Sequence, residues 1–249
     1  MVADLIFLAN LLTAWAARAI ASEFIKIRIK SEMDDTTKGN KLAFCIAGLL
    51  NQPNTAFRHI VIPGYDKVYV SFSQFGWNPR WMGWALEKLK KDDDIMLGIS
   101  IGAQAAWNAG ASRTILINPC STPKILQKRY YWLTKILSPL AWILSYALGW
   151  ISFIPFIPAQ DGRYSIALLV DQLFWMSHGR CLENLHTRAG IIISDKDEFL
   201  ENKNIIKYYA EKAPHASIVS IDTMHARIGD PKDAPKYQAA INYFLKNQE

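Results

Sequence analysis

The chain has 249 residues, of which 51% are hydrophobic, and it carries a net charge of +6 with a pI near 9.1. This length fits one large α/β domain, or a domain with an insertion, that buries a sizeable core. Its three cysteines, Cys45, Cys120 and Cys181, have no paired spacing, which argues against a disulfide framework and against a zinc site. We therefore expect a reducing compartment and a cytoplasmic location.

The basic residues do not form one long run, so the positive charge gives only weak support to nucleic-acid binding. Attraction to an anionic membrane surface is at least as compatible with this charge. We expect no nucleic-acid partner.

Residues 1–22 are almost wholly apolar. A signal peptide is one interpretation, because Ala19-Ile20-Ala21 resembles a cleavage site. The head of the segment carries Asp4 instead of lysine or arginine, however, and we favour a retained helix. Such a helix would pack on the domain or lie at a membrane.

Two strands are predicted next. In residues 23–30 lysine or arginine alternates with isoleucine, which indicates an edge strand with a charged outer face. Lys41 to Ala47 carries apolar residues on both faces and predicts a strand buried on both sides. Residues 48–53 follow as a loop.

The following stretch continues the alternation of strands and helices. Asn54 to Ile62 is ambiguous between a short helix and a strand, and Pro63-Gly64-Tyr65-Asp66 signals a turn. Val68 to Phe72 predicts another strand, and Pro79 to Lys91 predicts a helix.

Gly98-Ile99-Ser100-Ile101-Gly102 lies between a short apolar strand that includes Ile95 to Leu97 and an alanine-rich helix, Ala103 to Ala109. A G-x-S-x-G motif carries chemistry only where the backbone bends sharply and exposes the serine hydroxyl, and glycines are needed because side chains would clash. The alternative is an ordinary loop, in which glycine and serine often occur together. A serine hydroxyl is a poor nucleophile at neutral pH, so the motif predicts a histidine base and a carboxylate downstream.

Arg113 to Ile117 predicts the next strand, and the alternation then breaks between Ser121 and Leu185. Within this insertion, the residues between Lys135 and Asp161 include no charge, and by length they are a candidate transmembrane helix. Three prolines and a glycine interrupt the run, and a crossing would separate the two halves of the sheet. We therefore predict a lid rather than a membrane span.

Arg188 to Ile193 predicts a strand, followed by a loop that contains Asp195 and Asp197. Acidic residues at the carboxyl end of a strand face ligands in open α/β sheets. Asn202 to Ala213 predicts an amphipathic helix. On its own, Asp197 could equally be the N-cap of that helix.

Ala216 to Ile221 predicts the last strand, with His225 in the loop after it and a C-terminal helix at Lys236 to Lys246. Considered alone, His225 could be an ordinary surface histidine. The order serine, acid, histidine along the chain strengthens the assignment of both Asp197 and His225 as functional residues.

Together, the Ser100 turn, the strand and loop at Asp197 and the strand and loop at His225 resemble an α/β-hydrolase of the serine esterase and lipase type, over roughly residues 41–249. The resemblance implies an α/β fold with a mostly parallel central sheet flanked by helices, and a helical cap inserted after the sixth strand. It divides the chain into an N-terminal helix (1–22), a hydrolase core (23–120 and 186–249) and a hydrophobic cap (121–185).

The resemblance also implies the site residues. Ser100 would be the nucleophile, His225 the base and Asp197 the acid, with Asp195 as the fallback. The backbone amides of Leu49 and Ile101 would form the oxyanion hole. Many relatives have His-Gly where this chain has Ala47-Gly48, so Leu50 remains an alternative donor.

The implied activity is hydrolysis of carboxylic esters, without metal or cofactor. An unusually apolar cap suggests a hydrophobic acyl group, or peripheral membrane contact through the cap or the N-terminal helix. Alternatively, the apolar face of the cap simply buries against the core. Two other functions stay open: a thioesterase or acyltransferase with the same triad, and a non-catalytic lipid-binding protein. A dehalogenase or epoxide hydrolase is disfavoured, because those relatives need aspartate in place of Ser100.

Overall fold

The structure is a computed structural model that describes residues 5–6, 8–13, 16, 20, 41–48, 52–70, 79–159, 162–178 and 188–247. The described residues of the segment 5–20 are helical. The strand predicted at 23–30 and the predicted amide donors Leu49 and Leu50 lie outside the described residues.

Eight strands are present in the described chain: β1 Lys41–Ile46, β2 Tyr65–Val70, β3 Ile95–Ile99, β4 Arg113–Ile117, β5 Pro155–Ala159, β6 Gly162–Ser165, β7 Arg188–Ser194 and β8 Ser217–Ile221. Six of them form one sheet in the order β2-β1-β3-β4-β7-β8, and every neighbouring pair is parallel. The predicted parallel sheet is confirmed. Because parallel strands share a direction, the loops after β3, β7 and β8 all leave from the same edge.

The helices are α1 Pro53–Ala56, α2 Pro79–Leu89, α3 Gly102–Asn108, α4 Lys128–Ala147, α5 Ile166–His178, α6 Asn202–Lys212 and α7 Ala234–Asn247. Helices α2, α3 and α6 contribute to the core on one face of the sheet, and α1 and α7 contribute to the core on the other. The parallel strands are therefore covered on both faces, as their short apolar sequences require.

Strand β1 shows how the sequence directs this packing. Phe44 and Ile46 belong to one core cluster, whereas Ala43 and Cys45 belong to the other. All four are fully buried, because successive side chains of a strand point to opposite faces. The prediction of a strand buried on both sides is confirmed.

The insertion after β4 is only partly helical. Helix α4 leads through a 3-10 turn, Gly149–Phe153, into an antiparallel hairpin of β5 and β6, and α5 follows and packs against α4. Proline cannot continue a helix without losing a hydrogen bond, which is consistent with an extended strand at Pro155 and Pro158. The insertion follows the fourth of the described strands, whereas the resemblance implied the sixth. Within the described ranges, none of the helices is long and apolar enough to cross a membrane.

Candidate active site

Ser100 occupies the turn between β3 and α3 with a backbone φ of +53°, in the left-handed region. A non-glycine residue there costs on the order of 1–3 kcal/mol and persists only where its surroundings hold it. The Ser100 N–H donates to the carbonyl of Ile117 at 2.8 Å, and its own carbonyl accepts from the amide of Cys120 at 3.0 Å. The neighbouring strand β4 and the loop after it thus hold the strained turn in place.

The two glycines of the motif are required by close packing. A Cβ at Gly98 would lie 2.7 Å from the Cα of Ala103, and a Cβ at Gly102 would collide with the carbonyl oxygen of Ala47. Gly48 lies directly beside the serine, because a Cβ on it would be 3.0 Å from the Cβ of Ser100. The end of β1 therefore borders the Ser100 turn, and Ser100 itself is only 9% exposed.

Asp197 and His225 form a hydrogen-bonded pair at the same edge of the sheet. The distance from His225 Nδ1 to Asp197 Oδ2 is 2.6 Å, and the two side chains are 13% and 1% exposed. The other carboxylate oxygen of Asp197 accepts from the backbone amides of Phe199 and Leu200, at 2.9 and 2.8 Å. An ionised carboxylate only accepts, so Nδ1 carries the proton, and in the neutral ring Nε2 is then free to accept one.

Two further contacts orient the histidine. Its backbone N–H donates to Glu198 Oε2 at 3.1 Å, and the ring of Phe199 packs edge-on against the imidazole with the centroids 5.3 Å apart. Both partners come from the loop that carries Asp197. The acid loop therefore fixes both the backbone and the ring of His225.

Asp195, the fallback acid, lies elsewhere. Its carboxylate accepts a hydrogen bond from the hydroxyl of Ser220, and it is exposed. Of the two aspartates in the loop, Asp197 is the one that contacts the imidazole.

A buried polar cluster behind this edge was not found from the sequence. The Ser194 hydroxyl contacts the side chains of Asn118 (2.9 Å), Thr223 (2.8 Å) and Tyr237 (3.1 Å). Burial raises the pKa of the Tyr237 phenol, so the ring stays neutral. Because Asn118, Ser194 and Thr223 each end or follow a strand of the sheet, a polar residue after a buried strand was the signal that could have identified them.

The structure does not join every predicted member of the site. In the described chain, no hydrogen bond links Ser100 Oγ to His225, and the Ile101 N–H donates to no protein acceptor. Catalytic hydrogen bonds are often long without substrate and tighten when substrate binds.

This chain is similar to known proteins in structure but not in sequence. No protein-family model matches the chain, and no curated protein matches its sequence. Many solved structures do match. A thermophilic esterase from Thermogutta terrifontis has a TM-score of 0.59 at 12% identity, with 86% of this chain and 92% of that chain covered.

Two further solved structures have a similar fold. A hydrolase from Oleispira antarctica gives a TM-score of 0.59 at 15% identity, covering 85% of this chain and 93% of that one. A monoacylglycerol lipase from Paleococcus ferrophilus gives 0.54 at 13% identity, covering 84% and 95%. At these identities the comparison establishes the fold, and the chemistry rests on the residues at the edge of the sheet.

Proposed function

Because the chain has the α/β-hydrolase fold, we propose that it is a serine hydrolase that cleaves carboxylic esters. Ser100 is its nucleophile, His225 its general base and Asp197 the carboxylate that orients the histidine. The observation that carries this proposal is the buried 2.6 Å contact between His225 and Asp197, at the edge of the sheet where Ser100 is held with a positive φ.

In the acylation step, Ser100 Oγ attacks the carbonyl carbon of the ester while its proton passes to Nε2 of His225. The resulting imidazolium is stabilised by Asp197, which accepts the hydrogen bond from Nδ1. The tetrahedral intermediate collapses, and the alcohol leaves with the proton from Nε2. The acyl group remains bonded to Ser100.

In the deacylation step, the same histidine takes a proton from water as the water oxygen attacks the acyl carbon. Breaking the bond to Ser100 releases the carboxylic acid and returns the proton to Oγ. Each step exchanges acyl C–O bonds and moves protons among Ser100, His225, substrate and water, with no change of oxidation state, so these steps require neither a metal nor a redox cofactor.

The negative charge on the carbonyl oxygen needs hydrogen-bond donors at a fixed position. The amide of Ile101, next to the nucleophile, is one proposed donor. Leu49, on the loop after β1, is the other, with Leu50 as the alternative. The contact between Gly48 and Ser100 supports this arrangement, because it brings the start of that loop beside the nucleophile.

We further propose that the acyl group is apolar. The insertion is the source of this proposal, because its helix α5 is mostly apolar and lies against α3, the helix that follows Ser100, where Gln104 Nε2 donates to the carbonyl of Trp175.

Hydrolysis of p-nitrophenyl esters of increasing acyl length tests the proposal. We expect turnover that peaks with medium or long chains and falls by a factor on the order of 10⁴ or more in Ser100→Ala. The matched control is Ser112→Ala, which removes an exposed hydroxyl that donates to the carbonyl of Asp92. Equal turnover by wild type and Ser100→Ala would refute the proposal.

A further inference from the structure

Helix α4 of the insertion exposes a continuous row of apolar side chains. They recur every three or four residues and so lie on one side of the helix. Ile136 is 67% exposed and Leu140 is 58% exposed. This outer face consists of Leu133, Ile136, Leu137, Leu140, Ile143 and Leu144.

The inner side of α4 carries polar and aromatic residues: Tyr130 and Tyr131 pack against the core, and Trp142 stacks on Phe174 of α5. Ser138 and Ser145 are the residues of α4 that are buried. The helix α5, which packs against α4, buries Asp171 and Gln172. The usual arrangement for a helix in water is therefore partly reversed, because the buried residues of α4 are serines and all of its leucine and isoleucine side chains are exposed.

Such a reversal is expected where the surrounding medium is apolar, because lipid removes the penalty for exposing leucine. Small polar residues, in turn, suit the contact between helices. The helix does not meet the requirements for a membrane span. Its geometry fits a helix that lies along a surface with one face in the apolar layer.

The charge at the start of α4 indicates the kind of surface on which this helix lies. Lys128 and Arg129 are exposed in the first turn, and Trp132 is exposed one turn later. The sequence from Ile95 to Gln160 contains no aspartate or glutamate. A basic turn next to an interfacial tryptophan and an apolar row complements the phosphate and acyl layers of an anionic bilayer.

Further exposed apolar residues lie near the other end of α4. The Nδ2 of Asn10 donates to the carbonyl of Ala147 at 3.2 Å, which places the N-terminal helical residues beside the last turn of α4. Leu5, Ile6 and Leu12 are each more than half exposed.

We propose that the outer face of α4 docks on an anionic phospholipid bilayer, with its leucine and isoleucine side chains in the headgroup and acyl boundary and with Lys128 and Arg129 at the phosphates. The N-terminal residues extend the same docking surface. This inference does not depend on the esterase proposal, since the surface is formed by residues outside the catalytic site.

Sedimentation of the full chain with vesicles tests the docking surface. We expect binding to phosphatidylcholine vesicles that contain phosphatidylglycerol, and binding at least about tenfold weaker for the triple variant Ile136→Ser, Leu140→Ser, Ile143→Ser. The matched control replaces exposed apolar residues elsewhere, Val61→Ser, Ile206→Ser and Tyr243→Ser, and we expect it to bind as wild type does. Circular dichroism of both variants checks that they are folded.

The contribution of charge is tested with Lys128→Gln and Arg129→Gln. Each change is expected to weaken binding about fivefold, and pure phosphatidylcholine vesicles should bind less than mixed ones. Ser100→Ala should bind vesicles like wild type, so that loss of activity and loss of docking are measured separately.

Three results would overturn the proposal. The first is that wild type stays in the supernatant with the mixed vesicles, and the second is that the folded triple variant binds them as well as wild type does. The third is that light scattering shows a wild-type dimer that the triple variant dissociates, with no vesicle binding, since a second copy of the chain would then cover this face.

Discussion

Asp197 uses its two carboxylate oxygens for different partners. Two backbone amides of its own loop hold Oδ1, and Oδ2 is thereby directed at His225. Since the carboxylate is buried and bonded on both oxygens, its position is set before any substrate arrives. This preorganisation is what a residue that orients a catalytic base requires.

Replacing Asp197 should therefore affect catalysis far more than replacing Asp195. Asp197→Asn is expected to lower kcat by about three to four orders of magnitude, because the amide can favour the wrong imidazole tautomer. Asp195→Asn removes a charge at an exposed position but keeps an oxygen that can accept from Ser220, so it should leave kcat near that of wild type. Initial rates on one p-nitrophenyl ester compare the two variants, and the reverse order of effects would contradict the assignment of the acid.

Ser194 is expected to contribute to stability rather than to the reaction. Ser194→Ala leaves Asn118, Thr223 and Tyr237 without a shared buried partner, which should lower the free energy of unfolding by about 1–3 kcal/mol. Urea unfolding measures this change, with Ser112→Ala as the surface control expected within about 0.5 kcal/mol of wild type. A Ser194→Ala protein as stable as the control would show that the cluster is not stabilising.

At the scale of elements, helix α3 illustrates how packing overrides helix propensity. Gly102 is its first residue, and alanine would ordinarily be favoured over glycine in a helix. Here the backbone of β1 passes so close that a Cβ would collide with the carbonyl of Ala47. The tight approach of β1 to α3 also brings Gly48 beside Ser100.

Gly102→Ala is thus expected to destabilise the protein, by about 1–3 kcal/mol if the backbone shifts to admit the methyl group. The turn at Ser100 would move with it, so kcat for ester hydrolysis should also fall. Thermal unfolding and initial rates of the same preparation check both effects. A more stable, fully active variant would contradict the close packing described for this turn.

Sequence patterns identified most elements of the core, and the structure confirms the strands β1, β3, β4, β7 and β8 and the helices α2, α3, α6 and α7. Strand β2 begins at Tyr65, within the predicted turn and before the predicted start at Val68. The apolar residues on both faces of β1 and the glycines around Ser100 were sufficient to predict this strand and this turn, because both patterns reflect local geometry. The hairpin of β5 and β6 was missed, since the apolar run that includes it has no clear period of two or 3.6. The ambiguity at Asn54 to Ile62 was resolved by α1, a helix of one turn at Pro53–Ala56.

At the scale of the molecule, the parallel sheet determines which side chains lie close to one another. The order of Ser100, Asp197 and His225 along the chain was evident from the sequence, as was their position after strands. The pairing of Asp197 with His225 was implied only by the resemblance to serine esterases and lipases, because the contact joins residues 28 positions apart through β8 and α6. The apolar outer face of α4 was also hidden, since the sequence alone does not say which side of a helix is covered.

The same two-sided core buries Cys45 within β1 and Cys120 after β4. Burial raises the pKa of the Cys45 thiol to about 12, so the reactive thiolate is scarce at neutral pH. In a Cys181→Ser protein we expect no thiol to react with Ellman's reagent at pH 8 until denaturant is added, when both should react. Rapid reaction in the absence of denaturant would show that the core opens more readily than its packing implies.

Covalent labelling tests the central claim, that Ser100 is the nucleophile of a serine hydrolase. The full chain is incubated with a fluorophosphonate, with lipid vesicles present, and the modified peptide is identified by mass spectrometry. The account predicts one adduct on Ser100, absent in Ser100→Ala and strongly reduced in a His225→Ala variant. An unlabelled wild-type protein, or an adduct on another serine, would contradict it.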